Sequence, residues 1–324
     1  MLQKYIELFH KLRADRNAGW PLSSLGRSPY KPLLLLAVFD LFESGEIANN
    51  LIQVTPDLGD IFNIYCSIVI STEWKCNIAM PFYHLHRDGF WHLLPKPGKE
   101  AVIEAGRRLQ SVTLLEEYVY GARLDEDLYE LICVKENRDI LRTVLIQTYF
   151  DSSIHNQLIE RSLVNLESFQ YSQTLIEQAR QPHILKEKPP NVSYSTTARD
   201  QGFRRTIVMI YEHRCAFCEL RMVTADGHTV VDAAHIIPRH VSYNDEPTNG
   251  IALCKLCHWT FDKGLFSVSA QYKIMVSPQI HHAQNAPKHL ISLDRKAIVV
   301  PNNEAFWPNK QSFQWHRDNK LRKV

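Results

Sequence analysis

The chain alternates between stretches whose apolar residues recur with helical spacing and shorter aromatic-rich runs. Leu2, Ile6, Phe9 and Leu12 fall on one stripe of an opening amphipathic helix. The segment "KPLLLLAVFDLFESG" is apolar all round, as a helix in a core is, with Pro32 suited to a first helical position and Gly45 to the stop. In "MPFYHLHRDGFWHLLPKPG" two aromatic-rich runs flank Asp88-Gly89, a pairing that predicts a β-hairpin closed by Pro-Gly. Two further helical stretches end at "ILRTVLIQTYF".

Residues 152 to 198 read as an amphipathic helix followed by "QPHILKEKPPNVSYSTTARD", whose prolines and hydroxyl residues mark an interdomain linker. A helix over "DQGFRRTIVMIYEHR" then opens a second domain, and "VVDAAHIIP" reads as an apolar strand. The expected class is α+β. A mainly helical domain with a hairpin occupies 1–151, a helix and linker 152–198, and a second domain 199–324.

Composition refines this outline in two places. Seven cysteines is an odd number, and four form two Cys-x-x-Cys pairs, which suits metal binding in a reducing cytoplasm better than a disulfide framework. The net charge of +2 conceals an asymmetry: from Arg199 onward there are 17 Lys+Arg against 11 Asp+Glu, while the remainder is acidic. A basic C-terminal third points to a phosphate-rich partner. No run of about 18 apolar residues predicts a membrane span, and the amphipathic start has no secretory h-region.

Cys215-x-x-Cys218 and Cys254-x-x-Cys257 are separated by 35 residues. Four thiolates satisfy a tetrahedral zinc ion in a closed shell, so this zinc is expected to staple the ends of a sizeable insert and to leave no open position for water. The histidines and carboxylates between and after the pairs are then available for other work.

Those residues, in "VVDAAHIIP", "TNGIALC" and "CHWTFDKG", resemble the HNH endonucleases, whose ββα-metal motif is a hairpin followed by a helix. The resemblance makes His235, Asn249 and His258 the signature positions. It implies His235 as general base for water attacking a phosphodiester, Asn249 as the group steadying that imidazole through its amide or backbone carbonyl, and His258 at the opening of the helix. Asp262 follows His258 by one turn, and the pair forms a half-shell for Mg²⁺ or Mn²⁺. Where many relatives carry a metal ligand just before the catalytic histidine, this chain has Ala234. Asp232 then has two readings: a substitute ligand, or a strand carboxylate pairing with Arg239 or a backbone amide.

The first domain, through "YKPLLLLAVFDL", "MPFYHLHRDGFWHL" and "ENRDILRTVLIQTYF", is similar to the N-terminal region of McrA-like, modification-dependent restriction enzymes, including those with a sulfur-binding domain for phosphorothioate DNA. The resemblance implies double-stranded, modified DNA as partner. A reader of a soft sulfur needs an apolar dimple edged by cations. Tyr30, Met80, Pro81 and Phe82, with Pro29, are the apolar candidates; Arg27, Lys31 and Arg87 are the cationic ones. A reader that stacks a displaced modified base on Phe82, Tyr83 and Trp91 fits the same residues. Two other classes stay open: an HNH nuclease reading unmodified sequence, and a zinc-stabilised DNA-binding regulator without activity. One active site per chain makes a homodimer one route to a double-strand cut.

Overall fold

The computed structural model describes residues 1–16, 19–70, 76–104, 109–180, 194–224, 228–282 and 288–323. The proposed linker core, 181–193, therefore lies outside the described residues. The chain divides into two units, Met1–Leu166 with Thr224–His228, and Glu167–Val223 with Thr229–Val324.

In the first unit, helices α1 (Leu2–His10), α2 (Tyr30–Ser44), α3 (Pro56–Val69) and α4 (Ala79–His84) precede strand β1 (Trp91–Pro95). Helices α5 (Glu100–Glu104) and α6 (Val112–Tyr118), strand β2 (Val119–Leu124), helices α7 (Glu126–Cys133) and α8 (Lys135–Tyr149), and the first half of α9 (His155–Arg180) complete it. The all-round apolar pattern of α2 is explained by its position, since every residue from Lys31 to Leu41 is buried. The helix starts at Tyr30, two residues before Pro32, which the first turn tolerates because its N–H groups have no intrahelical partner. Gly45 ends it as expected.

Asp40 is the polar exception on α2. Its buried carboxylate accepts hydrogen bonds from Tyr65 (2.7 Å), Ser162 (2.6 Å), Asn165 (2.8 Å) and Arg142 (3.1 Å), tying α2 to α3, α8 and α9. Burial pushes this carboxyl up, and the Arg142 charge opposes that shift.

The hairpin expected around Asp88-Gly89 does not form. Residues 79–84 are helical, Leu85–Asp88 continue as a 3-10 turn, and Gly89 closes it at φ 88°, a left-handed conformation that glycine adopts without strain. Ala79, Pro81, Phe82, Tyr83 and Leu85 are all buried, so the run packs on more than one side and never alternates as a half-exposed strand would. The Asp88 carboxylate accepts from the Arg13 amide (2.8 Å) and from Lys31, anchoring the turn. Strand β1 instead pairs antiparallel with the distant β2, Trp91 opposite Leu124.

The second unit opens with the latter half of α9 and with α10 (Thr196–Ile210), which Ser195 caps through the Ala198 amide (3.2 Å). Strand β3 (Val231–His235), the short helix α11 (Arg239–Ser242), strand β4 (Gly250–Cys254) and helix α12 (Lys255–Asp262) follow. Strands β5 (Phe266–Val268) and β6 (Ile274–Val276) and helices α13 (Pro278–His282), α14 (Lys288–Ile291) and α15 (Lys310–Asn319) finish the chain. β3 and β4 pair antiparallel from Val231 opposite Cys254 to His235 opposite Gly250, and α12 leaves β4 directly, giving the expected strand–strand–helix order. Gly250 permits a close approach: a Cβ there would lie 2.3 Å from Ile207 Cδ1 and 3.0 Å from Phe203 Cζ of α10.

Candidate active site and reader cavity

The four paired cysteines converge. Cys215 and Cys218 sit on a tight turn after α10, in which the Cys215 amide donates to Leu220 (2.9 Å) and Glu219 takes φ 59°. Cys254 ends β4 and Cys257 lies in the first turn of α12. The four sulfurs all lie within 4.8 Å of one another, with Cys218 and Cys254 3.7 Å apart. A tetrahedral ion with sulfur bonds of about 2.3 Å requires edges of about 3.8 Å, so donor set and size both fit zinc. Among the described residues this is the one cluster of three or more His, Cys, Asp or Glu of metal-binding size.

His235 ends β3 with its ring stacked on Phe203 at 3.8 Å and 8°. Its Nε2 lies 2.9 Å from Asp245 Oδ1. Asn249, 1% exposed, acts differently from the expected imidazole clamp. Its Oδ1 accepts from the Ile237 amide (3.0 Å), its Nδ2 donates to the Ile237 and Asn244 carbonyls (3.0 Å each), and its own carbonyl accepts from Ile236 (2.8 Å). Asn249 thus ties both ends of the 236–249 loop, whereas the His235 ring stacks on Phe203 and hydrogen-bonds with Asp245. Asp245 is a functional residue that no motif in the sequence marks. Its only signal was a carboxylate in the loop between two motif strands, ten residues from the histidine it meets.

His258 lies one residue beyond Cys257 rather than at the start of α12, which begins at Lys255. Its Nε2 is 3.5 Å from Asp262 Oδ2, so the two side chains share a face as their spacing requires. Asp232 is exposed and ion-pairs with Arg204 of α10 (3.0 Å) while accepting from its neighbour's amide. A salt bridge was one of its two expected roles, although the partner differs, because Arg239 is engaged by Asp245 (2.7 Å). Among the described residues no third ligand-type side chain joins His258 and Asp262 in a metal-sized cluster.

In the first unit, Tyr30, Lys31, Met80, Pro81 and Arg87 line a single cavity of about 410 Å³, together with Arg13, Asp15, Trp20, Ser28 and His84 among others. Trp20 meets Tyr30 edge-on at 5.4 Å. Burial, with the nearby Cys76 and Cys66, pushes the Tyr30 phenol up to about 12, so it stays a hydrogen-bond donor at neutral pH. Lys31 is buried and paired with Asp88, so much of its charge is already spent; burial lowers its pKa and the carboxylate opposes that. Arg87 is exposed, and Arg27 is half-buried in the preceding loop and does not line the cavity. Phe82 does not line it either. Phe82, Tyr83 and Trp91 are each 0% exposed, and Phe82 packs edge-on against Trp91 at 5.1 Å. These three rings are core, which removes them as a platform for a displaced base. Trp20, in the "AGWPLSSLG" loop, was missed; its aromatic ring between Gly and Pro was the available signal.

Residues 3–166 match the family described as ScoMcrA-like, DNA sulfur-binding domain, and residues 215–269 match the HNH endonuclease family. The first match covers just over half of the chain, and the protein belongs to this ScoMcrA-like family, with an HNH endonuclease domain following the sulfur-binding domain. No curated protein matches. Among solved structures the chain is similar to a modification-dependent TagI restriction endonuclease, at 20% identity and a TM-score of 0.29, over 38% of this chain and 38% of that one. The chain therefore spans well under half of that structure's length. Among the described residues no helix is long and apolar enough to cross a membrane.

Proposed function

We propose that the protein is a modification-dependent DNA endonuclease that reads phosphorothioate-modified duplex with its first unit and hydrolyses phosphodiester bonds with its second. The observation that carries this reading is the cavity. Residues from three separate segments, in a unit matching the sulfur-binding family, gather an apolar wall of Trp20, Tyr30, Met80 and Pro81 with Arg13 and Arg87. A phosphorothioate replaces a well-hydrated oxygen with a larger, softer sulfur while keeping the charge. An apolar wall costs that sulfur little desolvation, whereas the same wall penalises an ordinary phosphate oxygen. Arginine at the edge supplies the phosphate contact common to both.

In the second unit His235 takes the proton of the attacking water, a role suited to an imidazole held by stacking and a carboxylate. Asn249 holds the loop that carries those partners. His258 and Asp262 would hold a Mg²⁺ or Mn²⁺ ion, whose chemistry is to polarise the scissile phosphate and stabilise the leaving oxygen. The four cysteines would hold a structural zinc ion.

The test is digestion and binding of matched duplexes that are unmodified, cytosine-methylated, hydroxymethylated or phosphorothioated, with Mg²⁺ or Mn²⁺ present. Cleavage restricted to the phosphorothioated duplex is expected. Equal cleavage of all four would remove the modification-dependent reading, and no cleavage of any would remove the nuclease reading.

A further inference from the structure

Asp245 lies in the loop between β3 and β4 and is 8% exposed. Four donors converge on it from four elements. His235 Nε2 of β3 (2.9 Å) and Arg239 Nε of α11 (2.7 Å) meet Oδ1. The Tyr171 hydroxyl of α9 (2.8 Å) and Arg199 Nη2 of α10 (2.8 Å) meet Oδ2. Two bonds to each oxygen saturate a carboxylate's lone pairs.

We propose that Asp245 is the positioning residue for His235: it holds the imidazole as the Nε2–H tautomer and so directs the Nδ1 lone pair to the attacking water. This rests on the nuclease reading above. Burial works against the charged carboxyl, but hydrogen bonds from His235, Arg199 and Tyr171 outweigh it, so Asp245 is ionised at neutral pH and can only accept. Tyr171, whose phenol is pushed up to about 12 by burial and by this same carboxylate, stays a donor. The arginines carry donors only. Nothing in the cage can therefore present a proton to Nε2, and a neutral His235 must carry its proton there. Stacking on Phe203 removes the remaining rotational freedom of the ring.

The same cage sets the charge that His235 feels. The titratable and charged groups facing Asp245 are His235, Tyr171, Arg199 and Arg239. Removing the carboxylate's charge leaves two guanidinium groups beside the imidazole.

The tautomer is read directly from long-range ¹H–¹⁵N spectra of the full-length protein labelled at histidine, with the His235 signals assigned by their loss in His235→Ala. A neutral ring protonated at Nε2 is expected near pH 7.5. A ring protonated at Nδ1, or the averaged pattern of a solvent-exposed histidine, would overturn the assignment whether or not the protein cleaves DNA. For Asp245→Asn, kcat is expected to fall about 10- to 100-fold with KM nearly unchanged. Its His235 ring is expected to lose the fixed Nε2–H pattern that the carboxylate imposes. A folded, zinc-loaded variant that keeps the wild-type His235 ¹⁵N pattern would reduce Asp245 to a structural role. The tautomer measurement needs only the wild-type fold, so it decides the matter even if the variant is unstable. An active enzyme with the wrong tautomer fails this inference alone, whereas a correct tautomer in a protein that cuts none of the four duplexes fails the nuclease reading alone.

Discussion

Tyr30 and His235 are both rings held by a second ring, yet their surroundings differ in kind. Tyr30 meets Trp20 edge-on at a cavity wall, with its one buried cationic neighbour, Lys31, already paired to Asp88. His235 lies flat on Phe203 and is tied to a carboxylate that two arginines and a tyrosine also grip. The first arrangement favours selection by size and hydration, since an apolar wall of Trp20, Tyr30, Met80 and Pro81 lies beside the charged edge of Arg13 and Arg87. The second favours proton transfer, since a saturated hydrogen-bond cage fixes which ring nitrogen has a lone pair. Discrimination and rate should therefore respond to different substitutions.

The sharpest way to break that comparison is His235→Ala. Positioned general bases contribute on the order of 10²- to 10⁴-fold. We expect a rate loss of that order, with the ratio of affinities for phosphorothioated and unmodified duplex unchanged. Single-turnover cleavage and binding measured on the same preparation check both halves. Residual cleavage within tenfold of wild type would remove the base assignment, and a collapsed affinity ratio would show that the two sites are not separable.

The two sites also differed in how readily they could be read from sequence. The second unit was legible because its chemistry constrains spacing. Two Cys-x-x-Cys pairs, a histidine ending an apolar strand and a His/Asp pair one turn apart each mark a local geometry, and the structure brings the four sulfurs together. Asp245 escaped because a loop carboxylate has no periodicity, and only the fold of the 236–249 loop brings it to His235. In the first unit the central helix was legible from its unbroken apolar run. The hairpin was misread because Asp-Gly closes a helical turn as readily as a strand turn. What decided between them, the anchoring of Asp88 by Arg13 and Lys31, is a tertiary fact. The cavity follows the same logic, because Trp20, Tyr30 and Met80 are neighbours only after folding.

Cys254→Ser tests whether the second site depends on its staple. Cys254 continues β4 from Gly250, the residue opposite His235, so loss of the sulfur cluster loosens the strand that supports the site. Because structural zinc binding is coupled to folding, zinc content and the second unit's stability should fall together. The melting temperature should drop by about 10 °C or more. Metal analysis and a thermal melt check this, and a stable variant with full zinc occupancy would contradict the four-sulfur site.

Trp20→Ala addresses the cavity and carries the smallest expected effect. Trp20 lines the wall against which Tyr30 is set edge-on, so on the phosphorothioate reading its removal would widen the cavity and admit water beside a bound sulfur. The loss falls on the sulfur-bearing duplex, since an ordinary phosphate oxygen gains nothing from an apolar wall. We expect the preference for phosphorothioated over unmodified DNA to shrink about tenfold, or ~1.4 kcal/mol. The salt dependence of binding should stay as in wild type, because no phosphate-pairing cation has been touched. Titrations of both duplexes across salt concentrations measure the two quantities together. Equal weakening for both duplexes would mean that Trp20 supports the fold of the unit without selecting the mark, and the shape-based half of the comparison would fall.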